Sequence, residues 1–419
     1  MKVHDFTLKS NGLKIVYVEK KDSQVVAMNL IGNCGSVFED VPGTAHFFEH
    51  LALDGSKKYP VKKDLLSLVI DSGGSVNATT SKNFTEFTIK LIASEFEKGI
   101  ELLSQAVFHP TFDEKNIDKE KRIILEEYKR AMTNDQRQLF ETLVGLSYKD
   151  KSMNRMVLGD DESIEVINKD ILKKFWKRYY TPNNFVLSVC GNIDKENLFK
   201  IIENYFDDIP MGDNSEIKTF TKNNDSNLKV LRRENATQAR LMISYDSPGR
   251  NSPDYYVSLL LSSILGKGIS SRLFLAAREE RQLVYDISSF TWNGPNRGLF
   301  YTQCGTDEKN INEVIKVIID EQNKLITENV ASKEMDLHKK RIRSASLFEL
   351  EDSVLLASHY AYFRIILSNL VTVEKEIEKI NKVTSAQIKD VAIKIFNNKP
   401  HIAVLAKELN KDQIEVSTE

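Results

Sequence analysis

The stretch VPGTAHFFEHLALDGSKKYP holds two histidines and a glutamate at a spacing that can do chemistry. His46 and His50 are four residues apart, so on a helix they stack on one face, one turn from each other. Two imidazoles placed this way can hold one zinc ion and leave positions for a further ligand and a water. Glu49 follows His46 by three residues and neighbours His50, where it reaches a metal-bound water instead of the metal. Zinc lowers the pKa of such a water to about 7. A nearby carboxylate then takes the proton, a general-base arrangement for attack on a peptide carbonyl. Pro42 and Gly43 precede the run, and Thr44 is the expected N-cap of the helix. A lone histidine is more often a packed or surface residue than a ligand, so a third ligand decides the matter.

DKEKRIILEEYKRAM offers one. Glu120 and Glu127 are seven apart and share one helix face, two turns from each other. Ile123, Ile124 and Leu125 supply apolar positions that hold such a helix against a core. A charge run of this kind usually marks a solvated helix with Glu/Lys pairs; the His-x-x-Glu-His upstream shifts the odds towards a ligand. Glu126 is the rival of Glu127.

The elements that must position these residues occur twice. Ile167 to Asp194 (INKDILKKFWKRYYTPNNFVLSVCGNID) reads as a helix, a Pro/Asn turn and an apolar strand, and Ile380 to Leu409 repeats that order with Lys-Pro in the turn. SEFEKGIELLSQAVFHPTF has its counterpart in NINEVIKVIIDEQNKLI, and the charged DKEKRIILEEYKRAM in SKEMDLHKKRIRSAS. Matching order at a long period points to duplication. Met211 to Asn227 is polar and without periodicity, a linker between domains at 1–210 and 228–419. Strands such as FTEFTIKLIA and ARLMISYDS alternate β-branched and aromatic residues. The expected fold is therefore α+β: two related domains, each an antiparallel-rich sheet with helices packed on one face, with an α/β sheet as the alternative.

Composition narrows the function. A chain of 419 residues holds two or three domains, and its 41% hydrophobic and 28% charged residues are ordinary globular usage. A net charge of −2 gives no footprint for nucleic acid or an anionic membrane surface. No apolar run approaches the roughly 18 residues of a membrane span, and the alternating N-terminus lacks the apolar core of a signal peptide. Cys34, Cys190 and Cys304 lie far apart with no Cys-x-x-Cys pair, which suits buried thiols in a reducing cytoplasm.

With these motifs the chain resembles the inverzincin peptidases, and among them the pitrilysin, insulin-degrading enzyme and mitochondrial processing peptidase family. That family carries His-x-x-Glu-His with a ligand Glu some 76 residues further on; here HFFEH is followed by residues 51–126, 76 residues, and then Glu127. The resemblance implies that His46, His50 and Glu127 bind Zn2+, that Glu49 is the base and that Glu120 supports the site from behind. It also favours Glu127 over Glu126. GNCGSVFED resembles the family's Gly-Ser-x-x-Glu strand end, and IDSGGSVNATTSKNFTEFTIKL resembles the segment on which the family holds substrate as an added β-strand, with Asn77 carried over as a substrate contact. LGKGISSRLFLAAREERQLVYDISS resembles the Gly-rich turn and the Arg/Tyr pair that follows it. This implies that Arg278 and Tyr285 bind substrate, Tyr285 stabilising the oxyanion. Leu51-Ala52-Leu53-Asp54 departs from the usual Met-x-Phe-Lys, a change of local packing that touches no ligand. The second half's motif helix, DYYVSLLLSSILG, has no histidine, and its Glu-helix counterpart has His338 and Arg341 but no Glu pair.

The expected function is a zinc metalloendopeptidase that cuts peptides or unfolded segments in an enclosed chamber. By resemblance to the short class, two chains pair, and the presence of both metal motif and Arg/Tyr pair in one chain favours a homodimer. The alternatives are the catalytic subunit of a heterodimeric processing peptidase, and a non-catalytic structural subunit of the same fold.

Overall fold

Period-two alternation of β-branched and aromatic residues builds the strands. The computed structural model describes residues 1–213, 218–367 and 370–415; part of the expected linker, residues 214–217, lies outside them. Among the described residues, one sheet of six strands contains β1 (Lys2–Thr7), β2 (Lys14–Glu19), β3 (Val25–Gly32), β4 (Ser75–Thr80), β5 (Thr85–Ile92) and β6 (Phe185–Gly191), in the order β1-β2-β6-β3-β5-β4. A second sheet of five contains β7 (Asn227–Arg232), β8 (Ala239–Pro248), β9 (Val284–Asn293), β10 (Arg297–Thr306) and β11 (His401–Ala406), in the order β7-β11-β8-β10-β9. The β2–β6 and β7–β11 pairs are parallel and all other neighbours antiparallel. Apart from β1, the two orders match strand for strand, as duplication requires.

Most helices match as well. The first half holds α1 (Thr44–Ala52), α2 (Lys62–Ile70), α3 (Phe96–Phe108), α4 (Glu114–Ala131), α5 (Asp135–Ser147), α6 (Asp161–Val166), α7 (Lys169–Tyr179) and α8 (Lys195–Phe206). The second holds α9 (Tyr255–Gly266), α10 (Ile311–Thr327), α11 (Ser332–Glu351), α12 (Ser353–Ile366), α13 (Val373–Asn381) and α14 (Ser385–Phe396), with a π-helical turn at Phe274–Glu279. Helix α8 has no α-helical counterpart among the described residues of the second half. Asn168 and Thr384 cap α7 and α14 by accepting from amides of the first turn. The fold is thus α+β, with two related domains.

The compact units do not follow a single cut in the sequence. Unit 1 is Met1–Arg130, Arg155–Lys218 and Leu347–Thr372; unit 2 is Ala131–Asn154, Thr219–Ser346 and Val373–Glu419. Each half therefore gives one helix to the other half's sheet. In unit 1, Met28 on β3 meets Gly99 of α3 on one face of the sheet, and Asn29 donates to Ser358 of α12 on the other, at 2.8 Å. In unit 2, Leu241, Ile243 and Tyr245 of β8 join α9, α10 and α14 in the main core. On the opposite face Met242, Ala403 and Leu405 pack against Leu139 and Leu143 of α5. To the expected helical layer the structure adds one exchanged helix on the far side of each sheet. Because strand residues alternate faces, each sheet hides apolar side chains on both sides, and the second face needs a cover.

Candidate metal centre

Helix α1 presents the motif, and its start is fixed by a glutamate rather than by Thr44. The Glu39 carboxylate accepts from the amides of Gly43 and Ala45, both at 2.8 Å, occupying the positive end of the helix. Gly43 is the N-cap, in the left-handed region at φ 87°, and a Cβ there would meet the Leu158 carbonyl oxygen at 2.7 Å. Glycine is required on both counts, and Thr44 becomes the first helical residue.

Helical spacing then stacks His46 and His50, whose ring centroids are 4.7 Å apart. Glu127 of α4 reaches both: its Oε2 lies 3.7 Å from His46 Nε2 and 3.5 Å from His50 Nε2. Among the described residues this is the one group of three or more His, Cys, Asp and Glu with donor atoms close enough to share an ion, all within 4.8 Å of one another. A tetrahedral zinc site with bonds of about 2.0–2.1 Å sets neighbouring ligand atoms roughly 3.3–3.4 Å apart; the Glu127 oxygen already stands close to that spacing from both imidazoles, so the trio fits the ion once its donors draw together. Glu126, the rival, points to solvent and pairs with Lys129 at 2.7 Å.

Behind the trio, Glu120 is fully buried and its Oε2 lies 2.9 Å from His50 Nδ1. A carboxylate there holds the imidazole with Nε2 towards the shared centre. Burial opposes charge on His50. Hydrogen bonds to Glu120 and Glu127, with the charge of Glu49, outweigh it and raise the imidazole to about 9. The surrounding carboxylates thus make a field that favours a cation. Burial also raises the Glu49 carboxyl above its usual range, against a hydrogen bond from Thr80.

Glu120 has its own support. Burial acts to raise its carboxyl, yet His50, Lys62 and Lys119 together bring it below the usual range. Lys119 Nζ lies 3.2 Å from Glu120 Oε1 and 2.6 Å from Asp54 Oδ1, and Lys62 stands 3.4 Å from the same Asp54 oxygen. Asp54, the acid where the resemblance expects a lysine, thus gathers two lysines beside Glu120. Lys119→Met is expected to weaken zinc binding about 10-fold, the low end for outer partners of a ligand. Competition with a chromophoric chelator measures this, with Lys121→Met, a surface lysine bonded to the Glu165 carbonyl, as the unchanged control.

Unit 1 therefore brings together His46, Glu49, His50, Glu120 and Glu127. Asn77 lies on β4, the edge strand, exposed and in register with Thr88. Arg278 and Tyr285 belong to unit 2. The Arg278 guanidinium stands 5.1 Å from the Phe274 ring centroid, in the π-helical turn, and the exposed Tyr285 donates to Asp307 Oδ1 at 2.8 Å. In unit 2 the helices matching α1 and α4 keep a hydrogen-bonding contact, Ser263 Oγ to His338 Nδ1 at 2.9 Å, where unit 1 has His50 and Glu120. The three cysteines are free and buried, outside the donor set. Residue spacing gave no sign of Lys119 and Thr80, whose partners lie 65 and 31 positions away.

Among the described residues, no helix is long and apolar enough to cross a membrane. A family model described as "Insulinase (Peptidase family M16)" matches residues 14–161, and one described as "Peptidase M16 inactive domain" matches residues 167–342. An uncharacterized zinc protease of Bacillus subtilis, YmxG, is 25% identical over 402 residues, covering 96% of this chain and 97% of its own. The beta subunit of the mitochondrial-processing peptidase of Saccharomyces cerevisiae is 23% identical over 412 residues, 93% of this chain and 88% of its own. The crystal structure of a protease from Helicobacter pylori matches with a TM-score of 0.89 at 21% identity, over 96% of this chain and 99% of that one, a likeness of fold. His46, His50 and Glu127, the candidate donors, fall within the first family match and Arg278 and Tyr285 within the second, so the duplicated halves follow the family's own order: the chain belongs to peptidase family M16, the pitrilysin and insulinase family of inverzincins, in its short two-domain class.

Proposed function

We propose that this chain is a zinc metalloendopeptidase acting on peptides and unfolded segments, with His46, His50 and Glu127 holding the ion and Glu49 as the base. The observation that carries the reading is the convergence of three donor atoms within 4.8 Å, beside a buried carboxylate one helical turn away. A zinc ion held there supplies a Lewis acid that polarises a peptide carbonyl and eases the deprotonation of water. Glu49 accepts the proton of the attacking water on its carboxylate and returns it to the leaving amine. Glu120 keeps the His50 ring in place, so that the imidazole does not rotate out of the donor set. The edge strand β4 has unpaired backbone groups on its outer side among the described residues, and these suit an extended peptide added as a further strand, with Asn77 beside it. Arg278 and Tyr285 complete the proposal as substrate-binding groups.

The proposal includes a homodimer in the cytoplasm, where three free buried thiols are at home. A second reading, the catalytic subunit of an unequal pair, is favoured by the likeness to the yeast processing-peptidase beta subunit. The test is to strip the purified chain with a chelator, add zinc back, and follow a mixture of unstructured peptides by mass spectrometry. One zinc per chain, with cleavage lost on stripping and restored on re-addition, is the expected result. Zinc binding without cleavage by the chain alone favours the unequal pair or the structural subunit. Cleavage that survives complete stripping overturns the metal mechanism.

A further inference from the structure

Glu49 has two carboxylate oxygens, and the fold treats them differently. Oε2 accepts a hydrogen bond of 2.5 Å from Thr80 Oγ1, and the Thr80 backbone amide also faces this carboxylate, while no side chain among the described residues bonds Oε1. Thr80 is the last residue of β4 and is in register with Thr85 of β5. The two hydroxyls are 3.3 Å apart, and Thr85 Oγ1 lies 3.1 Å from the Cys34 carbonyl oxygen. A hydroxyl has one proton to give. The Cys34 carbonyl can only accept, so it takes the proton of Thr85, and the proton of Thr80 is left for the carboxylate. Thr85 and Cys34 are both fully buried, which anchors the relay in the core. Threonine is β-branched and stiff at χ1, whereas the terminal torsion of a glutamate is broad.

We propose that Thr80 is the positioning residue of the general base: its hydroxyl pins Glu49 Oε2 and leaves Oε1 to take the proton of the attacking water. The inference rests on the reading of Glu49 as the base. The same hydrogen bond ties the base to the end of the edge strand β4, so a shift of that strand moves the carboxylate with it. The effect is on geometry during the chemical step, and misplacement of a reacting group by about 1 Å costs on the order of 100-fold in rate.

Thr80→Val keeps the branched shape and removes the hydroxyl, and Thr80→Ser keeps the hydroxyl and removes the methyl. The expected result for Thr80→Val is a kcat lowered about 10- to 100-fold, with KM and zinc affinity, measured by chelator competition, within about 2-fold of wild type. Thr80→Ser is expected to retain most of the wild-type kcat. Glu49→Gln, assayed alongside, separates the two readings. If Glu49→Gln cuts as wild type does, the base assignment falls. If Glu49→Gln is inactive while Thr80→Val keeps full kcat, only the positioning role falls. Thr80→Val losing zinc, or Thr80→Ser as impaired as Thr80→Val, also overturns it, since either result means packing rather than a directed hydrogen bond. Should Thr80→Val fail to fold, Thr80→Ala carries the same comparison.

Discussion

Glu49→Gln is expected to lower peptide turnover by about 10²- to 10⁴-fold, the range over which a positioned general base acts, while each chain still binds one equivalent of zinc. The amide is nearly isosteric with the carboxylate, so α1 and both imidazoles keep their places. Its oxygen can still accept from Thr80, which preserves the contact at 2.5 Å. What is lost is an acceptor of adequate basicity. Glu49 is buried and as a carboxylate can take up a proton, whereas a neutral amide has no such capacity. Turnover numbers on a defined unstructured peptide, beside zinc measured by mass spectrometry, give the answer. Wild-type turnover in the variant means that another group takes the proton.

Glu127→Ala is expected to weaken zinc binding by more than about 100-fold, beyond the 10- to 100-fold typical of a ligand's outer partners, and to abolish cleavage. Its Oε2 is the atom that meets both imidazoles, at 3.7 and 3.5 Å. Without it two neutral nitrogens remain, and Glu120 is engaged behind His50 at 2.9 Å and cannot move forward without releasing the ring. Glu126→Ala, one position earlier, removes only an exposed pair with Lys129, worth well under 1 kcal/mol, and is expected to bind zinc as wild type does. Chelator competition on both variants distinguishes them. Equal loss in the two, or in neither, removes Glu127 from the donor set.

Much of this was legible before any coordinates. Four-residue spacing fixes His46 and His50 on one helix face, and seven-residue spacing fixes Glu120 with Glu127, because the helix repeats every 3.6 residues. The duplicated order of elements was readable for the same reason: periods of two and 3.6 survive in each half even where the histidines are gone. The start of α1 was less clear. Thr44 has the chemistry of an N-cap, but the left-handed Gly43 and the reach of Glu39 decide it.

The amino-acid sequence by itself determined the local periodicities, and with them the helix that carries His46, Glu49 and His50 and the helix that carries Glu120 and Glu127. Only the tertiary structure decided what stands behind those residues. The exchange of α5 and α12 between the units follows from sheets with two apolar faces, which no local pattern assigns to a particular covering helix. The supports of the site, Thr80 on Glu49 and the Asp54–Lys119 pair on Glu120, are hydrogen bonds and ion pairs between residues distant in the chain. Such contacts have no period, because they depend on where separate elements pack and not on how each one repeats.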